Sequence, residues 1–280
     1  MSQVLSTTHH DRASAGLVYV YPVVSRRAGG ISVGINLNTN NACNWRCVYC
    51  QVPELKRGGP EPVDVEHLAR ELRGLLDDLV SGAFYQQFSI APEYRQLKDI
   101  ALSGNGEPTS ARELPQVLAV IGDILADFKL TDIKPVIISN GSQVRQVWVD
   151  EALQRLAALD GEVWFKVDRG SAEGRMRVNS MMLDNALLLK RLEHCAQRCR
   201  TKIQTCLFEY QERMSDELAS FVSLMEQVRS RTDIGDIMLY APSRASTQPE
   251  APELRYAPIE TLQHWQKALQ ALGFSVTVST

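Results

Sequence analysis

Apolar residues recur at intervals of three and four along the stretches 65–80, 111–128, 149–159, 181–198, 215–229 and 259–272. That period predicts amphipathic helices, each with one apolar stripe facing a core. Short β-rich runs stand between them at 31–36, 99–103, 135–139, 162–167, 202–208 and 236–240, so that every run is followed by a helix. Parallel strands need a crossover long enough to hold a helix, and regular alternation is therefore the sign of βα units around a parallel sheet. Residues 274–278 alternate like one more strand, which either closes a sheet edge or pairs with the segment 17–24. Helix ends carry their own signals. Asp64 is placed to cap the helix from Val65, Ser110 to cap the next with Glu113 three residues later, and Gly273 to end the last. Gly- and Pro-rich loops fall at 56–62 and 243–258, and the second reads as a mobile lid or an irregular crossover. The chain divides into an N-terminal leader and extension, 1–30, and one α/β unit, 31–280, with no internal repeat.

Composition narrows the function classes. With 44% hydrophobic and 22% charged residues among 280, disorder, collagen and coiled coil are excluded as whole-chain descriptions. A net charge of −3 is not that of a general nucleic-acid coat, whose affinity comes from neutralising phosphates. No run reaches the roughly 18 apolar residues of a membrane helix, so no membrane partner is expected. The N-terminus lacks a charged region followed by an apolar one. Arg26 and Arg27 lead into Gly34, Asn36 and Asn38 and not into a long apolar stretch, which argues against a twin-arginine signal. The expected location is the reducing cytoplasm, where clustered thiols are metal ligands or catalytic groups more often than disulfides.

Directly after the first strand of the α/β unit comes Cys43-Asn44-Trp45-Arg46-Cys47-Val48-Tyr49-Cys50, a C-x3-C-x2-C arrangement on a loop. Three thiolates on one short loop can converge on the face of an iron–sulfur cluster. A fully held cubane needs a fourth protein ligand, and an iron without one is an open position where a small molecule can be bound and activated. A structural zinc site normally takes two separated pairs of ligands, and the next His after Cys50 is His67, on a predicted helix. A non-catalytic iron–sulfur or zinc-binding module, such as a sensor, is the rival to an enzyme.

These residues resemble the radical S-adenosylmethionine (SAM) superfamily, whose signature is this spacing with an aromatic residue before the last cysteine, here Tyr49. Within it, Gly34-Ile35-Asn36-Leu37 and Cys47-Val48-Tyr49-Cys50-Gln51 are similar to the Fe–S oxidoreductase group related to wybutosine-synthesis enzymes. The resemblance implies a partial (β/α)6 TIM-like barrel and a 4Fe-4S cluster on Cys43, Cys47 and Cys50, with SAM chelating the fourth iron. It also implies reductive cleavage of SAM to a 5′-deoxyadenosyl radical that abstracts hydrogen from a substrate, and a reductant such as flavodoxin or ferredoxin. Kinship suggests modified RNA as substrate; a peptide and a small metabolite stay open.

Further positions follow from the same resemblance. Ser103-Gly104-Asn105-Gly106-Glu107-Pro108 looks like the superfamily's GGEP motif with Asn105 in the place of the second glycine. Glycines there let backbone carbonyls approach a ligand, and Glu107 can accept from the SAM ammonium. Ser139 and Asn140 resemble the strand-end segment that contacts SAM, although Asn-Gly is also an ordinary turn. Lys166 and Asp168 share a face and either hold SAM's carboxylate or ribose or form an ion pair at a barrel mouth. Gln204 either joins them or satisfies a neighbour. Cys195, Cys199 and Cys206 read as buried structural residues, without a CxxC or a binding loop. Arg169, Arg175 and Arg177 form either an anion receptor, supplemented by Arg244, or a solvated loop. Tyr240 and Tyr256 either stack on a base or pack.

Overall fold

The computed structural model describes residues 3–4, 16–25, 28–211 and 213–279; the leader up to residue 15 otherwise, and the Arg26-Arg27 pair, lie outside the described residues. The strands of the main sheet are β1 (Val20–Ser25), β2 (Gly30–Ile35), β3 (Leu97–Leu102), β4 (Lys134–Ser139), β5 (Glu162–Lys166), β6 (Arg200–Cys206), β7 (Asp236–Tyr240) and β8 (Ser275–Ser279). They hydrogen-bond in the order β8-β7-β6-β5-β4-β3-β2-β1, a curled half-barrel. All pairs are parallel except β1 with β2. The 274–278 alternation therefore becomes an edge, β8, while 17–24 supplies the opposite edge and the two do not pair. Because β1 belongs to this sheet, the sheet reaches back across residue 31, the expected start of the α/β unit.

Helices α1 (Val65–Ser81), α2 (Leu114–Asp127), α3 (Val147–Ala158), α4 (Ala172–Asn179), α5 (Asn185–Ala196), α6 (Met214–Arg231) and α7 (Ile259–Ala271) accompany the strands. Alternation along each strand sorts the two faces. On β2, Ile31, Val33 and Ile35 are fully buried among Leu68, Leu72, Leu118 and Ile121 of the helices. Ser32 and Gly34 instead line an interior cavity. On β5, Val163 and Phe165 join the core, while Trp164 and Lys166 face the cavity. Deleting one such buried leucine typically costs about 2–5 kcal/mol, so the outer face carries the stability of the sheet.

Several local expectations change. Asp64 does cap α1, accepting from His67 N. Ser110 does not cap α2: Glu107 accepts from Thr109 N and starts a 3-10 turn, Pro108–Ser110, and α2 begins only at Leu114 with Pro115 in its first turn. The Ser110 hydroxyl is left buried without a partner. The stretch 181–198 shortens to α5, which starts only after its cap Asp184, and a separate helix, α4, precedes it with Ser171 as its cap. Polar and glycine residues in α4 hid its period. The strand expected to run to 208 ends at Cys206, and Phe208–Glu209 leaves to pair antiparallel with Arg255–Tyr256. Gly273 follows α7 in the left-handed conformation, as a helix-ending glycine should.

The edge β1 is anchored by one buried side chain. Glu71 of α1 accepts from the backbone N–H groups of Val18, Tyr19 and Val20 at 2.8, 2.8 and 3.2 Å. Just beyond, the Tyr21 ring lies over Gly34, where any Cβ would stand 2.2 Å from it. Glu71→Ala leaves buried donors without an acceptor and is expected to destabilise the fold by about 2–3 kcal/mol, read as a lower urea midpoint. An unchanged midpoint would show that β1 is held without this clamp.

Candidate active site

The cysteine loop is rooted in a cluster of amides. Leaving β2, Asn36 accepts through Oδ1 from Asn38 N at 3.1 Å and from Asn105 N at 3.0 Å, and Asn38 Nδ2 donates to Ala42 O at 2.9 Å. The 104–107 turn is packed directly against this root. A Cβ on Gly104, whose φ is +148°, would stand 2.4 Å from Asn36 Oδ1, and one on Gly106 would stand 2.2 Å from Ala42 O. The glycines are thus required by the approach of two protein segments, and both also line the cavity. Asn105 faces away from the cavity and donates through Nδ2 to Asn41 Oδ1 at 2.6 Å.

Glu107 joins the ends of β3 and β4. It is 3% exposed, and its carboxylate accepts from Thr109 N, Thr109 Oγ1 and Ser139 Oγ (3.2, 2.5 and 2.7 Å) on Oε1 and from Asn140 N (2.7 Å) on Oε2. Burial pushes its pKa up, against the lowering effect of these donors. Asn140 passes the constraint on: its Nδ2 donates to Asn44 Oδ1 at 2.9 Å, and Asn44 donates to Ser142 Oγ at 2.6 Å. The tip of β4 therefore holds the cysteine loop from one side.

Asp168 holds it from the other. Its carboxylate is 1% exposed and accepts from Tyr49 OH at 2.6 Å, Asn179 Nδ2 at 2.9 Å and Cys206 N at 3.2 Å, with Lys166 Nζ 3.8 Å away. Lys166 donates to Tyr240 OH at 3.1 Å and lies 5.0 Å from the Tyr49 ring centroid. Burial pulls the Lys166 pKa down, but Asp168 and the nearby Tyr240 and Cys206 outweigh it, so the ammonium is held above its usual range and stays charged. The C-terminal end of α4 docks beneath: Val178 O accepts from Val48 N, Ser180 Oγ donates to Arg46 O at 2.9 Å, and Asn179 Nδ2 donates to Cys47 Sγ at 3.2 Å.

A third support comes from residues 242–258. Ser246 Oγ donates to Val48 O and Cys50 O, Thr247 N to Cys50 O, and Gln248 Nε2 to Val52 O. Arg46 and Glu250 form a two-pronged ion pair at 2.8 and 2.8 Å. The Gly/Pro-rich stretch is thus an irregular crossover laced to the cysteine loop, not a lid. Tyr256 serves the crossover, accepting from Ser246 N and donating to Arg244 O, and does not line the cavity.

One cavity of about 340 Å³ collects the result at the C-terminal strand ends, where barrel active sites form. Cys43, Cys47 and Cys50 line it together with Tyr49, Gly104, Gly106, Glu107, Asn140, Lys166 and Tyr240. Asn105, Ser139 and Asp168 stand behind these residues, and Gln204 neighbours Lys166 in register with a buried, unpartnered Nε2. Sequence reasoning missed Trp164, which shares the inward face of Lys166 and was readable from the strand period. It also missed Asn179, for which no local signal exists. Arg169 and Arg175 do not face a ligand: Arg169 donates to Asp168 O, Cys206 O and Phe208 O, and Arg175 to Leu183 O and Arg169 O. Burial lowers both pKa values, Arg175 to about 10. Cys195 and Cys199 are buried away from the cavity, and Cys206, whose N–H donates to Asp168, is buried behind its wall; none of the three lines it.

The donor set fits a cluster. Burial raises the Cys43 thiol to about 11 and Cys47 further, so each is held neutral without a compensating charge nearby. Sulfur-directed donors are already in place from Trp45 N to Cys43 Sγ at 3.4 Å and from Asn179 to Cys47. Among the described residues no three His, Cys, Asp or Glu side chains converge on a single ion. A cubane takes one thiolate per iron, so its ligands stand wider apart than those of one zinc.

The fold is shared with known proteins. A radical SAM methyltransferase from Sphaerobacter thermophilus superposes over 89% of this chain and 66% of that one, with TM-score 0.58 and 12% identity. A cysteine-to-serine mutant of spore photoproduct lyase superposes over 99% of this chain and 81% of that one, with TM-score 0.59 and 10% identity. In sequence, the GTPase Obg of Brachyspira hyodysenteriae is 31% identical over 121 residues, which is 43% of this chain and 15% of that protein. The chain thus spans a small fraction of that relative, and it contains no G-x-x-x-x-G-K-[ST] phosphate loop. No protein-family profile matches. The chain has the partial TIM-like barrel fold of radical SAM enzymes. Among the described residues no helix is long and apolar enough to cross a membrane.

Glu107→Ala removes the acceptor of four donors at once and is expected to cost about 2–4 kcal/mol of stability, measured by urea unfolding followed by tryptophan fluorescence. Stability equal to that of the parent would show that the donors find other partners.

Proposed function

We propose that this protein is a radical SAM enzyme, on one observation above others: the three thiols of the cysteine loop and the glycine turn at 104–107 line the same cavity at the strand ends. Cys43, Cys47 and Cys50 would hold a 4Fe-4S cluster, and Gly104, Gly106, Glu107, Tyr49, Asn140 and Lys166 would surround SAM, supported from behind by Asn105, Ser139 and Asp168. When bound and reduced, this pair supplies homolytic cleavage of SAM and with it a carbon radical that takes hydrogen from a substrate. The protein's own part is to position and exclude water. Lys166, kept charged beside Asp168, offers a cation to SAM's carboxylate. The glycine turn and Asn140 fix the loop on which the thiols stand. The half-barrel interior beyond them, with Ser32 and Trp164 on its wall, is the room for substrate.

An electron donor is required, and a small low-potential protein such as flavodoxin or ferredoxin suits it. The rival sensor role gives no reason for a cavity that continues from the thiols deep into the barrel. Arg169 and Arg175 do not argue for an anionic substrate, since both are engaged with backbone carbonyls, whereas Arg244 lines the cavity.

Anaerobically reconstituted protein is expected to bind about four iron atoms per chain and, with dithionite and SAM, to release 5′-deoxyadenosine. Cys43→Ala, Cys47→Ala and Cys50→Ala should each abolish the chromophore, whereas Cys195→Ala and Cys199→Ala should keep it. Full iron in any of the first three would overturn the ligand assignment. Lys166→Met should weaken SAM binding in equilibrium dialysis about ten- to a hundredfold, the worth of one charge-assisted hydrogen bond, with iron content unchanged. Equal affinity would remove Lys166 from the SAM site.

A further inference from the structure

Asn179 sits 132 residues from Cys47 along the chain, yet its side-chain amide is 3.2 Å from the Cys47 sulfur. It is 1% exposed and lies at the last turn of α4. Both hydrogens of the amide are directed at negative or potentially negative groups, one at Cys47 Sγ and the other at Asp168 Oδ2, 2.9 Å away. The opposite orientation would set the carbonyl oxygen against sulfur and carboxylate together, so the arrangement has one favourable sense. Its cost is visible: Asn179 Oδ1 is buried without a partner. A buried acceptor left unmatched is unfavourable by about 1–3 kcal/mol, and such residues in native structures call for a functional account.

Helix docking does not supply that account. The end of α4 is already fixed to the cysteine loop by Val48 N to Val178 O and by Ser180 Oγ to Arg46 O, neither of which touches a sulfur. What Asn179 adds is a side-chain N–H aimed at a thiol that the proposed cluster would use. A donor to a cluster sulfur favours the reduced, more negative state, and such bonds are among the terms that set iron–sulfur potentials.

We propose that Asn179 is a positioning residue that, through its N–H···S bond to Cys47, raises the reduction potential of the cluster into the range its electron donor can reach. This rests on the reading under Proposed function. An amide serves where a carboxylate of the same shape would not. Aspartate there would bring a second negative charge against Asp168 and Cys47, and leucine would withdraw both donors. The cation Lys166, 3.8 Å from Asp168, keeps the shared carboxylate compensated, so the amide is the link in this chain of contacts that reaches the sulfur directly.

The test is a dye-mediated potentiometric titration of the reconstituted cluster, followed by electron paramagnetic resonance and carried out without SAM or substrate. Relative to the parent, Asn179→Leu should shift the midpoint to a more negative potential and Asn179→Asp further in the same direction. Ser180→Ala, which loosens the same helix end without touching sulfur, should leave it unchanged. All three should keep about four iron atoms per chain. A midpoint in Asn179→Leu equal to the parent's overturns the inference alone. So does a shift in Ser180→Ala as large as that of Asn179→Leu, which would assign the effect to helix docking. Loss of iron from both Asn179 variants also overturns it, since the residue would then serve assembly and not potential. A parent protein that takes up no cluster overturns the reading of the whole site.

Discussion

The carboxylate of Asp168 is the contact on which the site depends. It is a buried anion, and a buried anion is tolerated only when hydrogen bonds and an opposite charge replace the water it has lost. Tyr49, Asn179 and Cys206 supply the bonds and Lys166 the charge. Those four partners come from the cysteine loop, the end of α4, β6 and β5. Satisfying one group therefore fixes four elements relative to one another. Losing one partner leaves the carboxylate less well compensated while the other three still hold it, so the four elements are positioned by one shared group.

Glu107 repeats the device on the opposite side of the loop. It gathers donors from its own turn and from the tip of β4, and Asn140 relays that position to Asn44 between the first two cysteines. A loop that must present three thiols toward one point has little apolar surface with which to fix itself. Two saturated carboxylates and a laced crossover do for it what side-chain packing does for a helix. The same logic explains the two buried arginines: each fork donates to backbone carbonyls at the element ends around 168–169, 183 and 206–208.

How much of this was legible in the sequence follows from the range of each interaction. The six βα units show in the periods, because alternation and amphipathicity are set by neighbours a few residues apart. The C-x3-C-x2-C loop and the glycine turn are local as well. The ion pair of Asp168 with Lys166 was legible two residues apart, but the roles of Arg169, Arg175 and Asn179 were not, since their partners lie elsewhere in the chain and a polar residue reads alike whether it meets a ligand or a backbone carbonyl. Arg169 shows the ambiguity best: among glycines and other arginines it reads as an anion receptor, and only the position of Phe208 O makes it a brace. Ser110 failed for a related reason. The capping pattern was present, but Glu107, three residues earlier, had a stronger claim on the turn.

A full eight-stranded barrel fills its interior with side chains. Here the sheet stays open, with β1 and β8 at opposite ends of the strand order, and the inward positions of β2 and β3 are small or polar, as in Ser32, Gly34, Ala101 and, just past β3, Ser103. That choice gives up apolar burial on one face. The other face compensates, with Ile31, Val33 and Ile35 and their counterparts on every strand sealed beneath the helices. A sheet stabilised from one side can keep a cavity of about 340 Å³ on the other without collapsing into it. Tyr21 marks the limit of the arrangement: its ring takes the space that the missing Gly34 side chain leaves, so the edge strand closes over the room while its hydroxyl, 3.0 Å from Ser103 Oγ, stays on the polar wall.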